Sequence, residues 1–145
     1  MIREFAAVAA LTLASAAQAA PVYADNFNAN PVGLNAVPAG WTVTGGTVDL
    51  IGSGSNGTLA DFLPGNGVYV DLDGSTNQAG LLTSPLLSLL GGVTYTATFD
   101  LAGSQRGSSE TGTVTFGSTS LGFNIASSVG FVGFSLSFTP GVSGN

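Results

Sequence analysis

Short segments in which apolar and polar residues alternate are the feature that most constrains how this chain can fold. From Val93 to Leu101 every second residue is apolar, and Thr or Asp stands between. Because side chains two apart point to the same face of a strand, this run predicts a half-buried β-strand. Beyond the N-terminal region no segment shows sustained helical periodicity, so the pattern favours an all-β fold.

Two further segments predict β-hairpins. In residues 40–52, Gly45-Gly46 separates two alternating stretches, and glycine tolerates the positive φ that a tight turn requires. A second hairpin is predicted from Gly112 to Ile125, with its turn near Gly117-Ser118. The inward residues of its returning strand are predicted to be Leu121, Phe123 and Ile125.

Residues 68–73 and 134–138 also predict strands, because apolar side chains occupy alternate positions in both. Residues 79–90 fit either a short helix or a buried strand, and Pro85 favours extended chain because proline disrupts a helix interior. The residues of the alternating runs that we expect to face the core are Val68, Val70, Leu72, Val93, Tyr95, Ala97, Phe99, Leu101, Phe134, Leu136 and Phe138.

About eight short strands at spacings of roughly 8–12 residues predict two antiparallel sheets packed face to face. Residues 20–145 have the length of one domain of this kind. We therefore expect an all-β fold, a two-sheet antiparallel β-sandwich, with surface loops at 53–67 and 103–112. Function on such a fold usually resides in loops or on one sheet face.

The N-terminal residues 1–19 have the pattern of a cleaved secretion signal. Arg3 precedes an uncharged run from Phe5 to Ala17, and the small-residue pattern Ala17-Gln18-Ala19 follows. The alternative is a membrane helix, but the run is shorter than the roughly 20 apolar residues that span a bilayer. We expect cleavage before Ala20, secretion to the cell surface or the medium, and no membrane span in the mature chain.

The residue inventory excludes several classes of chemistry. The chain has no His and no Cys, and after residue 19 its only basic residue is Arg106, so the usual catalytic bases and thiol nucleophiles are missing. A net charge of −6 disfavours a nucleic-acid partner. Charged residues make up only 7% of the chain, so Ser, Thr, Asn and Gly must form the surface. Such a surface suits polyhydroxylated partners but protects poorly against edge-to-edge strand association.

Three segments carry a resemblance to a known family: Gly40–Gly46 with Val48-Asp49, Val70–Gly74, and Thr94–Gly103. Their order and spacing resemble the galactose-binding-like jelly-roll domains shared by plant cell-wall proteins and by exported bacterial proteins of the choice-of-anchor group. The resemblance implies a jelly-roll fold, an extracellular location, and association with carbohydrate or cell wall. Function still has to be argued from a site, because one fold hosts many functions.

The C-terminal region departs from that family's pattern. Bacterial members commonly end in a sorting tail with a Pro-Glu-Pro element, an apolar helix and basic residues, and nothing after Phe138 resembles it. Residues 139–145 are also too few and too rich in Gly to form the last strand that members of this family tend to carry. We therefore expect a sandwich that lacks its last strand, as in a C-terminally truncated piece of a longer protein.

The resemblance also implies a structural calcium ion. Asp71 and Asp73 lie two apart on one predicted strand, and Asp25 or Asp100 are further candidate ligands. An acidic calcium loop starting at Asp71 is rejected, because Leu82 stands where a bidentate Glu belongs. The alternative is that these acids are solvated or cap turns through Asx hydrogen bonds, and we favour that alternative.

Aromatic and charged residues provide the candidate ligand-binding set. Tyr69 and Asp71 share the polar face of their predicted strand, and Arg106 lies in a polar loop, where it either contacts a ligand or pairs with Glu110. For Trp41 we favour burial over a sugar-stacking role, because it shares a face with an apolar neighbour.

The sequence therefore predicts an exported, non-catalytic module that binds cell-surface or extracellular polysaccharide. The alternative is a structural surface protein that associates with copies of itself. A glycosidase is disfavoured, because Asp71 and Asp73 share one strand and cannot flank a sugar from opposite sides.

Overall fold

All regular elements in the described part of the chain are β-strands. The structure is a computed structural model that describes residues 20–55, 60–76 and 78–144. The predicted signal peptide, residues 1–19, lies outside the described residues. The strands are, in chain order, β1 (Thr42–Thr44), β2 (Asp49–Gly52), β3 (Val68–Asp71), β4 (Leu81–Thr83), β5 (Tyr95–Leu101), β6 (Glu110–Phe116), β7 (Thr119–Ile125) and β8 (Val132–Phe138).

The strands associate as antiparallel pairs. β1 pairs with β4, β2 with β3, β5 with β8, and β6 with β7. The two longest pairs join seven residues each, and in β5 and β8 the rings of Phe99 and Phe134 stand opposite each other and stack at 6.0 Å. This arrangement confirms the predicted all-β class and is consistent with a β-sandwich.

The predicted hairpin at the C-terminal half of the domain is confirmed. β6 and β7 are joined by the two residues Gly117-Ser118, and Gly117 has a φ of +58°, which glycine adopts without steric cost. Leu121 and Phe123 are half-buried and Ile125 is buried, as their alternation predicts.

The predicted hairpin in residues 40–52 is wrong, because β1 and β2 pair with other strands. The amide of Thr47 donates to the carbonyl of Gln78 at 3.1 Å, and the amide of Gly80 donates to the carbonyl of Thr47 at 3.0 Å. Any side chain at Gly46 would collide with the backbone of this neighbouring segment. Gly46 is thus needed where two backbone segments approach each other closely. From sequence alone, a Gly-Gly pair with this role looks the same as one in a hairpin turn.

Two residues predicted to face the core are exposed instead. Leu72 is 37% exposed and Val93 is 44% exposed. Both lie just outside the strands: Leu72 follows β3, in the turn that the hydrogen bond from Gly74 to Asp71 closes, and Val93 precedes the first paired residue of β5. Alternate residues point to opposite faces only within a strand, so the pattern does not predict the burial of residues beyond the strand ends.

The buried core lies mainly around β2 and β3. All four residues of β2 are buried, so this strand has protein on both faces. In residues 79–90 no helix forms, β4 ends at Thr83, and residues 84–88 around Pro85 belong to no regular element. Leu81, Leu86 and Leu90 are 65%, 81% and 62% exposed. The buried apolar residues of the described part are Val48, Leu50, Ile51, Val68, Leu89, Ile125 and Leu136.

Candidate functional site

One strand and two loops bring together a mixed aromatic and charged surface. β3 supplies Tyr69 and Asp71, the loop before β3 supplies Asp61 and Phe62, and the loop between β5 and β6 supplies Arg106. We call these five residues the Arg106 surface. It contains all three residues that the sequence predicts to bind a ligand.

Arg106 is held on two sides and remains accessible. Its Nη2 donates to Asp71 Oδ2 at 2.8 Å, and its guanidinium carbon lies 5.2 Å from the centroid of the Phe62 ring. The Arg106 side chain is nevertheless 53% exposed. The predicted alternative, pairing with Glu110, is wrong, because Asp71 is the partner of Arg106 and Glu110 accepts a hydrogen bond from Ser108.

Tyr69 fastens the loop before β3 to the strand. Its hydroxyl donates to Asp61 Oδ1 at 3.0 Å and accepts the amide of Leu63 at 2.9 Å. Its ring packs edge to face against Phe131, with centroids 5.5 Å apart. Burial raises the pKa of the Tyr69 phenol, and the neighbouring Asp61 carboxylate also raises it. The hydroxyl therefore remains a donor at neutral pH and holds Asp61 beside Phe62.

A buried carboxylate lies beside Asp71 on the neighbouring strand. Asp49 on β2 is the cross-strand partner of Asp71 and is only 4% exposed. Its two oxygens accept hydrogen bonds from the amide of Asn35 at 2.7 Å and the hydroxyl of Ser75 at 2.6 Å. Sequence reasoning missed Asp49, because a charged residue in an alternating segment is normally assigned to solvent. The apolar residues on either side of it are the signal of a strand buried on both faces.

Several groups determine the protonation of Asp71. Burial raises the pKa of this carboxyl most strongly. The Asp73 amide and the Arg106 guanidinium lower the pKa, whereas the carboxylates of Asp49 and Asp73 raise it further, and the net result is a raised pKa. The ion pair with Arg106 thus offsets part of the desolvation cost of the charged Asp71 carboxylate.

The predicted calcium ligands are not assembled into one site. The Asp73 amide donates to Asp71 Oδ1 at 3.1 Å, which is the Asx hydrogen bond weighed as the alternative. Asp25 contacts Trp41, at a different place on the surface. Among residues 20–55, 60–76 and 78–144 no three acidic, His or Cys side chains are grouped so as to hold a metal ion.

A second aromatic group forms around Asp25, and we call Tyr23, Asp25, Phe27 and Trp41 the Trp41 cluster. The indole Nε1 of Trp41 donates to Asp25 Oδ2 at 2.8 Å, and the Tyr23 hydroxyl donates to the same atom at 3.3 Å. The Trp41 ring lies 5.4 Å from the Phe27 ring and 6.2 Å from the Tyr23 ring. Trp41, which we expected to be buried, is only half-buried.

A third surface is apolar. A cavity of about 450 Å³ lies between the segment around Pro85, the turn of the β6–β7 hairpin, and the residues after β8. We call it the apolar groove, and the large side chains that line it are Leu86, Leu87, Leu89, Phe116, Phe138 and Val142.

Within the described ranges the structure has no helix long and apolar enough to cross a membrane. Comparison with protein-family models, with curated proteins and with solved structures finds no match to this chain. The resemblance to galactose-binding-like jelly rolls therefore stays a prediction. The features that bear on function are the Arg106 surface, the Trp41 cluster and the apolar groove.

Proposed function

We propose that this protein is an exported, non-catalytic β-sandwich module that binds neutral extracellular or cell-surface polysaccharide at the Arg106 surface. The observation that carries the proposal is the exposed guanidinium of Arg106, held between the carboxylate of Asp71 and the ring of Phe62. A planar cation fixed in this way presents hydrogen-bond donors whose positions are set before a ligand arrives.

The donors and acceptors of this surface match the hydroxyl groups of a sugar. A guanidinium has five N–H donors, and Arg106 Nη2 uses a donor on Asp71 Oδ2. The carboxylates of Asp61 and Asp71 retain lone pairs beyond the hydrogen bonds that they accept. A sugar hydroxyl donates and accepts at the same atom, so both kinds of protein group can engage neighbouring hydroxyls.

The charge of the chain favours a neutral polymer over an anionic one. The net charge is −6, and Arg106 is the only cation after residue 19. Its charge is already balanced locally by Asp71 at 2.8 Å. A uronic-acid or sulfated polymer would meet repulsion without a cluster of cations to offset it.

The carboxylates of this surface are a poor basis for hydrolysis. A glycosidase needs two carboxyl groups on opposite sides of a sugar, about 5–9.5 Å apart. Asp71 is paired with Arg106. Asp61 accepts hydrogen bonds from the Tyr69 hydroxyl and the Leu63 amide, so both carboxylates of the surface are held by neighbouring groups. We therefore propose binding without chemistry.

Affinity electrophoresis tests this function. The purified chain is run through gels that contain a soluble neutral glucan, galactan, mannan or xylan. We expect at least one polymer to retard the wild type, and R106A to lose about tenfold in affinity, because the positioned donors are gone. R106K keeps the charge but lacks the planar fork, so it should recover only part of the retention.

Glu110→Gln is the matched control, because it removes a charge at the first residue of β6, just after the loop that carries Arg106, and Glu110 is not part of the Arg106 surface. It should be retarded like the wild type, and all variants should melt within a few degrees of it. Retention of R106A equal to that of the wild type would overturn the assignment of the surface. Mobility unaffected by every polymer would overturn the function.

The apolar groove favours a second candidate function, which is association of the chain with copies of itself. Leu86 and Val142 line the groove and are each 81% exposed. The strand pairs also leave edges whose backbone groups can pair with another chain, and charged residues are too scarce to prevent it.

A further inference from the structure

We propose that the Trp41 cluster is a second carbohydrate contact, which takes one sugar ring of the same neutral polysaccharide chain. This inference rests on the function proposed for the Arg106 surface, and it assigns a separate set of residues. The cluster combines an exposed aromatic surface, a carboxylate acceptor and an adjacent depression, which together match the apolar face and the hydroxyl rim of a pyranose.

The aromatic surface is fixed in place by a single carboxylate. Asp25 Oδ2 accepts both the indole N–H of Trp41 and the hydroxyl of Tyr23, so one carboxylate contacts the polar group of each ring. The Tyr23 side chain is 37% exposed, and Trp41 is half-buried against Phe27. Rings that are ordered before binding lose little conformational freedom when a ligand covers them.

Asp25 also has capacity for a ligand. A carboxylate offers about four lone-pair positions. Three hydrogen bonds are made to Asp25 by the cluster, from Trp41, Tyr23 and the amide of Phe27. Asp25 also borders an open depression of about 420 Å³, whose other lining residues are Ala24, Asn26 and Ala29. A hydroxyl of a sugar in this depression can donate to the remaining position.

The backbone at Phe27 supports a functional interpretation. Phe27 has a φ of +61°, in the left-handed region that a bulky residue rarely adopts and that costs free energy. This conformation is held by the hydrogen bond from the Phe27 amide to Asp25, and it brings the Phe27 ring to within 5.4 Å of Trp41. Strained positions of this kind concentrate at ligand sites.

A hydrogen bond links the two chain segments that carry the Trp41 cluster and the Arg106 surface. Asn28 Oδ1 accepts the amide of Val68 at 2.7 Å. Asn28 is adjacent to Phe27 of the cluster, and Val68 is adjacent to Tyr69 of the Arg106 surface. The two segments are therefore in direct contact, and one polysaccharide chain bound at both sites would be held more tightly than at either site alone.

Fluorescence of Trp41 tests the inference, because Trp41 is the only tryptophan of the chain. The full chain is titrated with gluco-, galacto-, manno- and xylo-hexasaccharides, and the emission is recorded. We expect a saturable change in emission intensity or wavelength with the sugar whose polymer retards the protein. The change should persist in R106A, although at higher sugar concentration, since the reporter belongs to the second site.

A substitution beside the reporter completes the test. Tyr23→Ala should weaken retention by the polysaccharide gel about threefold to tenfold, because it removes an exposed stacking ring. Val22→Ala is the matched control, since Val22 is 57% exposed and lies outside the cluster, and it should be retained like the wild type.

The outcomes separate this inference from the proposed function. Unchanged Trp41 emission together with retention of the wild type by a polysaccharide overturns the second site and leaves the Arg106 surface standing. Equal retention of Tyr23→Ala and Val22→Ala overturns the second site as well. No retention and no emission change with any sugar overturn both proposals together.

Discussion

Asp49 and Asp71 are cross-strand partners on β2 and β3, yet their surroundings give them different roles. Asp49 is buried and accepts hydrogen bonds from Asn35 and Ser75, so it connects the segment before β1 to the segment after β3. Asp71 is partly exposed and pairs with Arg106. At the scale of single residues, burial and hydrogen bonding therefore separate a structural acid from one that can take part in recognition.

Replacing Asp49 tests its structural role. Asp49→Asn retains the size of the side chain but loses the charge-assisted acceptance of two hydrogen bonds. We expect the free energy of unfolding to fall by about 1–3 kcal/mol. Urea denaturation followed by circular dichroism measures this, and Asp73→Asn is the control because Asp73 is exposed. Equal stability of the two variants would contradict the role assigned to Asp49.

The ionisation of Asp71 gives a second prediction. Folding raises the pKa of Asp71, so the folded state binds its proton more tightly than the unfolded state does. The contribution of Asp71 to stability should accordingly fall as the pH rises from the ordinary pKa of Asp through the raised value. Arg106→Gln should raise the pKa of Asp71 further, because the guanidinium lowers it.

Carbon-detected NMR of the Asp71 carboxyl measures this pKa directly. Glu110→Gln serves as the control and should leave the pKa of Asp71 where it is in the wild type, since Glu110 does not contact Asp71. A pKa of Asp71 that stays the same or falls in Arg106→Gln would show that the two side chains do not pair in solution.

Among the elements, the β6–β7 hairpin shows how a glycine can be required inside a strand. Gly112 stands opposite Phe123, whose ring occupies the space that a side chain at position 112 would need. A side chain at Gly122 on the neighbouring strand would make only an ordinary contact of 3.9 Å, with the carbonyl oxygen of Gly112. The same residue type is therefore demanded at one position of the hairpin and optional at the other.

Alanine substitutions in this hairpin test that difference. Gly112→Ala should destabilise the protein by about 1–3 kcal/mol, because Phe123 must leave its position over the strand. Gly122→Ala should be neutral or slightly stabilising, since alanine restricts the unfolded chain. Thermal unfolding of both variants measures the difference. If both substitutions changed the melting temperature equally, the packing of Phe123 on Gly112 would be contradicted.

The elements also show what sequence can and cannot predict. Alternation predicts β5, β8 and the β6–β7 hairpin correctly, because each has one half-buried face. It fails for the pairing of β1 and β2, because partner choice depends on contacts between distant segments, such as Thr47 with Gln78. For the site, residue type identifies Tyr69, Asp71 and Arg106 as candidates. Only the fold places the Phe62 ring under Arg106 and Asp49 beside Asp71.

For the whole molecule, the contrast between a polar surface and an apolar one defines the two candidate functions. The Arg106 surface combines charged groups and aromatic rings on β3 and two loops. The apolar groove leaves Leu86 and Val142 largely in water. A chain with so few charged residues has little to prevent such a groove from meeting a second copy.

Polar substitutions in the apolar groove test self-association. Leu86→Ser combined with Val142→Ser should abolish any rise in mass with protein concentration, as measured by light scattering. Because both residues are 81% exposed, the melting temperature should change by only a few degrees. Val22→Ser is the control for loss of an exposed apolar side chain elsewhere. An unchanged dependence of mass on concentration in the double variant would contradict the groove as the site of association.

The side-chain Nε–Hε signal of Arg106 reports directly on whether the Arg106 surface binds a neutral sugar. In a chain that begins at Ala20, Arg106 is the only arginine, so a nitrogen–proton correlation spectrum contains one such signal. Titration with the oligosaccharide whose polymer retards the protein should shift this signal and the backbone amides of Phe62 and Asp71, with saturation at one common concentration. Binding of the sugar without any shift of these three signals would show that it does not bind at the Arg106 surface.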